Sequence, residues 1–208
     1  MMAGSHVAVG LMAATTYSTL IGTPFGPVTA AAAAFGSLLP DLDHPGSFLG
    51  RRVVRFGAFL SALAALAQWG VGFPVPASVL GLTVGFTLTP VALYLVGHRG
   101  ITHSLLGVGA SLVVLALFGW LGNPVVVAAV IGYLAHLAGD LLTGEGIPLL
   151  WPAGRRYGLL GVRTGGLLEW LVVVAGIGGW VLGMSSYDWP LFGVLSYPES
   201  LLWPLRRV

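Results

Sequence analysis

Three runs in this sequence combine imidazole and carboxylate groups at spacings that suit a metal ion. In Gly-Tyr-Leu-Ala-His-Leu-Ala-Gly-Asp (132–140), His136 and Asp140 stand four residues apart. On a helix that spacing puts both side chains on one face, where they can reach one ion. Leu-Pro-Asp-Leu-Asp-His-Pro (39–45) supplies Asp41, Asp43 and His44, and His-Arg-Gly-Ile-Thr-His-Ser (98–104) supplies His98 and His103. His6 lies near the start of the chain and Glu169 late in it. A donor set of His and carboxylate without thiolate suits Zn, Mn or Fe rather than a soft metal. The chain has no Cys, so thiolate sites and disulfides are excluded.

The elements that position these residues are apolar. Of 208 residues, 56% are hydrophobic and 8% charged, and the mean hydropathy is +0.92. Soluble domains carry about 25% charged residues, so lipid must be the solvent for much of this chain. The formal charge of +2 makes no case for nucleic-acid binding. The expected fold class is all-α: a polytopic transmembrane helical bundle of about six to seven spans, forming one integral membrane domain over 1–208.

Seven apolar segments appear, at 7–21, 28–39, 53–71, 77–96, 101–121, 125–142 and 167–184. The first two are short for a span of roughly 20 residues and could instead form a re-entrant or tilted pair. The tail, 185–208, reads as interfacial or loop-like, with Trp189 and Trp203 as aromatic anchors. Arg51, Arg52, Arg55, Arg99, Arg155, Arg156 and Arg163 all fall in alternate loops. With seven spans these loops share one side with the N-terminus, and the positive-inside rule makes that side cytoplasmic. All five histidines, with Asp41, Asp43, Asp140 and Glu169, then gather at the cytoplasmic ends of helices.

Each residue also has a plainer reading. A lone intramembrane His usually bonds a neighbouring helix, Asp41 and Asp43 could cap a helix junction, and Arg51 and Arg52 could signal topology alone. Ionisable groups in membranes are costly and default to function, so the set favours a metal site. Glu145, in Thr-Gly-Glu-Gly, is expected to be a solvated loop residue.

The run Gly-Ser-Leu-Leu-Pro-Asp-Leu-Asp-His-Pro-Gly-Ser-Phe-Leu-Gly-Arg-Arg (36–52) resembles the YdjM-like family of bacterial and archaeal inner-membrane proteins. So do His-Arg-Gly-Ile-Thr-His-Ser-Leu-Leu (98–106), the 132–143 run and Gly-Ile-Pro-Leu-Leu-Trp-Pro (146–152). The likeness extends in order over residues 6–169. It implies a membrane-bound metal-dependent hydrolase of the inner (cytoplasmic) membrane, whose motif residues are His6, Asp41, Asp43, His44, His98, Arg99, His103, His136, Asp140 and Glu169. Glu145 is not part of that pattern. The order of the ligands is also similar to that of zinc-dependent phospholipase C, in ordering alone.

The site expected is therefore hydrolytic, with one or two divalent transition-metal ions, Zn or Mn foremost. Asp41, His103, His136 and Asp140 are the first-choice ligands. His6 and His98 come second and could serve a second ion. Asp43, His44 or Glu169 could act as general base or orient a ligand. Arg52 and Arg99 suit a bidentate phosphate clamp, which points to a membrane lipid or lipid-linked phosphate ester as partner and substrate. Rival readings are a metal-ion or proton transporter, a bis-His haem protein, an intramembrane protease and a non-enzymatic scaffold. The middles of the third to fifth segments carry no charge, against the transporter. Haem does not explain the carboxylates, and the His-Glu-x-x-His helix is absent. Oligomeric state is not readable.

Overall fold

The computed structural model describes residues 1–185, apart from positions 24, 45, 73 and 118 and most of 77–98. The fourth expected segment, His98 and the tail therefore lie largely or wholly outside the described residues. The fold is all-helical. Among the described residues there is no strand, only isolated bridges pairing Thr143 with Val162 and Ile147 with Tyr157.

Six helices are described: α1 (Ala3–Ile21), α2 (Pro27–Gly36), α3 (Phe48–Ala65), α4 (Leu105–Leu117), α5 (Pro124–Leu141) and α6 (Leu167–Ser185). Local chemistry sets several of their ends. The left-handed Gly22 closes α1, its N–H bonding Ser18 O, a conformation that costs glycine little. Ser47 accepts the Gly50 N–H at the start of α3, and Asn123 accepts the Val125 N–H before Pro124 opens α5. α3 runs on through a wider turn, Leu66–Gly70.

Two expected segments are shorter helices than their apolar runs. The second ends at Gly36, and Pro40–Asp43 forms a separate 3-10 turn, because Pro40 supplies no N–H to continue a helix. The fifth begins with a 3-10 turn, Ile101–His103, before α4 starts at Leu105. Both turns carry site residues. Among the described residues, three helical stretches are long and apolar enough to cross a membrane: Phe48–Gly70, Pro124–Leu141 and Leu167–Met184. At 10 residues, α2 rises about 15 Å, half a hydrocarbon core.

α1 packs on α6, α5 and α2, and α2 packs on α5. Small residues permit this closeness. A Cβ on Gly132 would lie 2.1 Å from Ala33 O, and one on Gly36 would lie 2.0 Å from Ala129 O, so the backbones of α2 and α5 touch, as membrane helices do at small residues. Outward faces stay apolar, with Phe56, Phe59, Leu63, Val174 and Leu182 exposed. α1, α3, α4 and α6 start, and α2 and α5 finish, at the same end of the bundle as the polar cluster.

Candidate metal centre

The last turns of α5 present His136 and Asp140 inward, both buried. The turn after α2 brings Asp41 to them, and the turn before α4 brings His103. Four atoms converge. His136 Nε2 lies 3.2 Å from His103 Nε2, 3.7 Å from Asp41 Oδ1 and 3.6 Å from Asp140 Oδ2. His103 Nε2 lies 3.7 Å from both Asp41 Oδ1 and Asp140 Oδ2. A tetrahedral zinc site with ordinary Zn–N and Zn–O bonds has ligand–ligand edges of roughly 3.4 Å. The five distances lie close to those edges, and the donors suit such an ion in chemistry.

Hydrogen bonding at the far side of each ring strengthens that fit. His136 Nδ1 lies 2.7 Å from Ser37 O, a carbonyl that can only accept, so Nδ1 carries the proton. His103 Nδ1 lies 3.4 Å from the buried Asp43 carboxylate and 3.0 Å from Thr102 Oγ1. The Thr102 hydroxyl is itself donated to Asp43 Oδ2 at 2.6 Å, so His103 Nδ1 also bears the proton. The two Nε2 atoms then face each other at 3.2 Å, a contact that repels unless a shared proton or a metal ion lies between them. A metal-ligating His typically donates its other N–H in this way.

Charge compensation points the same way. Asp140 stands near the C-terminus of α5, where the helix dipole disfavours an anion. Its Oδ1 takes the Met1 α-amino group at 2.8 Å and faces His6 Nε2 at 3.3 Å; its Oδ2 faces the two imidazoles and, at 3.8 Å, Arg99. Burial raises the Asp41 carboxyl pKa, but a hydrogen bond from His103 Nε2 and positive charge on the His136 and His6 rings, present when those imidazoles are protonated, outweigh it and hold that pKa below the ordinary value. Asp41 is thus an anion ready to bind a cation.

His6 stacks flat on His136, ring centres 3.7 Å apart. Its Nδ1 is buried and has no hydrogen-bond partner among the described residues. A Cβ on Gly139 would lie 3.2 Å from that nitrogen, so glycine on α5 is what admits the ring. Among the described residues, two three-residue groups able to hold an ion result, His6 with His136 and Asp140, and Asp41 with His103 and His136, and they share His136.

The other expected residues stand differently. Asp43 accepts from Arg99 N and Thr102 Oγ1 and orients His103. Glu169 is buried and accepts the Ser5 hydroxyl, the Met2 N–H and the Gly165 N–H; it ties α6 to the first turn of α1, which carries His6. His44 accepts the Gly46 N–H and meets Tyr94 edge-on. Arg52 bonds Phe48 O and lies over the Phe48 ring, so its guanidinium is engaged on its own helix. Arg99 has φ 56, the one non-glycine positive φ described, a conformation that costs of order 1 kcal/mol or more and clusters at functional sites. It pairs with Glu145. Glu145 is 71% exposed, as a solvated loop residue should be, yet it holds the arginine nearest the cluster. Sequence reasoning did not single out Ser37 or Thr102; both are ordinary polar residues beside the motifs, and only their contacts distinguish them.

A model of the YdjM inner membrane protein family matches residues 1–206. Inner membrane protein YdjM of Escherichia coli (strain K12) is 34% identical over 169 residues, covering 78% of this chain, and the same protein of Shigella flexneri matches equally. The aligned region spans 65% of the length of those two relatives. The uncharacterized protein YvsG of Bacillus subtilis (strain 168) is 29% identical over 190 residues, 90% of this chain and 94% of that protein. No solved structure matches.

Proposed function

The chain belongs to the YdjM family of inner membrane proteins, and from that premise we propose that it is a membrane-embedded, metal-dependent hydrolase acting on a lipid-linked phosphate ester. The observation that carries this is the four-atom cage of Asp41, His103, His136 and Asp140, with both imidazoles anchored at Nδ1. These four residues would hold the ion. When bound, a divalent metal would supply Lewis acidity to a phosphoryl oxygen and lower the pKa of a coordinated water toward neutrality.

The protein's own groups supply the rest. Asp43 and Ser37 O keep the two rings in the right tautomer. Glu169 fixes the first turn of α1 and, through it, His6. His6 stands beside Asp140 Oδ1, where it can take a proton from water or join a second ion. Arg99 reaches the cage edge and can exchange Glu145 for a phosphate oxygen, a fork-shaped contact that neutralises developing charge. Arg52 is held by Phe48 and has no part in this reading. The cluster at one end of the bundle, beside the Arg-bearing loops, supports a site at the cytoplasmic rim.

The test is to incubate metal-loaded protein in detergent with a panel of phospholipids and polyprenyl phosphates, following products by mass spectrometry, with His136→Ala as control. Metal-dependent release of a phosphorylated or dephosphorylated product is expected. Cleavage confined to amides or carboxylic esters would overturn the substrate class. No cleavage by folded, metal-loaded protein would overturn the enzyme and favour a transporter or scaffold.

A further inference from the structure

α4 and α5 meet at the site end, where Val108, Leu137 and the buried loop residue Ile147 form a small core. Away from that contact they leave a groove of about 580 Å³ between them. Its walls are almost wholly apolar, with Val114 and Leu115 on α4 and Val126 and Val130 on α5. Ala110 and Val114 are exposed along its open side. The α5 wall rises about 10 Å from Tyr133 to Val126, at 1.5 Å per residue, along the bundle axis.

What distinguishes this groove from an ordinary lipid-facing crevice is its inner end. That end is built by Leu39, Thr102 and Tyr133. The Tyr133 hydroxyl donates to Thr102 O at 2.6 Å. The Thr102 hydroxyl donates to Asp43 Oδ2 at 2.6 Å and lies 3.0 Å from His103 Nδ1. The groove therefore ends one residue's width from the His–Asp cage, with Thr102 standing between the two. Leu39 at this end lies two residues before Asp41, the most exposed of the four cage residues, so an amphiphile with its head at the cage could lay its chain in this groove.

We propose that the α4–α5 groove is the tail subsite for the substrate, holding a single alkyl or isoprenyl chain whose phosphate head sits at the cage. The inference rests on the phosphoesterase reading of that cage and adds the substrate's shape: one slender chain beside the head. The bilayer is as apolar as the groove, so transfer between them yields little energy. The groove acts by position, excluding bulky or branched tails and setting the head against the cage.

The experiment uses full-length protein in lipid nanodiscs and a hexadecyl phosphate carrying a diazirine at mid-chain. After irradiation, labelled peptides are mapped by mass spectrometry, and zinc content is measured on the same samples. Label is expected to concentrate on the α4 and α5 segments bearing Val114, Val126 and Val130, and to fall when unlabelled hexadecyl phosphate competes. Ala110→Trp and Ser111→Phe, which fill the groove, should lose that label while retaining zinc. Retained zinc also shows that each variant has folded. Label spread evenly over the outward faces of α3 and α6, or unchanged by both substitutions, overturns the groove. Zinc binding without groove labelling sinks the groove alone, whereas groove labelling without zinc binding sinks the cage reading and leaves the lipid subsite standing.

Discussion

α3 and α5 are each 18 residues long, and both belong to stretches apolar enough to cross a membrane. They do opposite work. α3 buries only Gly50, Gly57 and Ala64 and turns Phe56, Phe59 and Leu63 outward. Its arginines sit near one end, and Arg52 bonds its own helix. α5 buries His136, Asp140 and several small residues, and α1 and α2 lie against it through glycine contacts. Hydropathy alone barely separates the two. Polar residues mark a site only where neighbouring backbone comes close enough to satisfy them; charge at the end of a lipid-facing helix marks the membrane boundary.

Substitutions on the two helices should separate most sharply in metal content. His136→Ala and Asp140→Ala are expected to abolish zinc binding while the protein still inserts, as read by metal analysis of purified variants. Arg52→Ala on α3 should leave zinc content unchanged; a loss equal to that of Asp140→Ala would erase the contrast. Asp43→Ala, which releases the ring of His103, should weaken zinc affinity about 10–100-fold without abolishing it, measured by competition with a chelating dye.

A smaller effect concerns pH. The two imidazoles must be neutral at Nε2 to bind, so protons compete with the ion. Burial lowers the His103 pKa, but hydrogen bonds to Asp41 and Asp43 and the charges of Asp43 and Asp140 outweigh it and hold it above the ordinary imidazole value. Zinc affinity should therefore begin to fall at a pH above about 6.5 and keep falling below it. Asp41, held below the ordinary carboxylate pKa, stays ionised there and adds no slope. Affinity independent of pH across that range would remove His103 as a ligand. Glu169→Ala leaves the buried Ser5 hydroxyl unsatisfied, at a cost of about 1–3 kcal/mol, and frees the less buried Met2 and Gly165 N–H groups. It should lower thermal stability, with zinc affinity falling less than in Asp43→Ala. Smallest of all, Glu145→Ala should leave zinc bound, because this exposed pair with Arg99 is worth about 0–1 kcal/mol. Cysteines placed at 51 and 155 should both label from the cytoplasmic side; labelling from opposite sides would break the single-rim arrangement.

Much of this was legible in residue order. The 3.6-residue period brings His136 and Asp140 together on one helix, and the apolar segments largely set which helix ends meet. Asp41 and Asp43 are different: from the sequence Asp41 ranks as a ligand and Asp43 as a base or orienting group, but two acids two residues apart do not show how their surroundings differ. Pro40 forces a tight turn in which Asp41 faces the rings and Asp43 faces Thr102 and Arg99. Glu169 looks like another site acid because its donors are backbone N–H groups and Ser5, invisible to motif reading. Arg52 and Arg99 look alike in sequence, but one folds back on Phe48 while a left-handed backbone at the other points its N–H at Asp43. The α4–α5 groove could not be read at all, since it depends on where two apolar helices part.

The most direct measurement is the zinc and manganese content of protein purified without chelator, beside Asp140→Ala and Arg52→Ala prepared identically. The account predicts close to one ion or more per wild-type chain, the same for Arg52→Ala, and none for Asp140→Ala. Folded wild-type protein that carries no metal and takes up neither zinc nor manganese when they are added would contradict it.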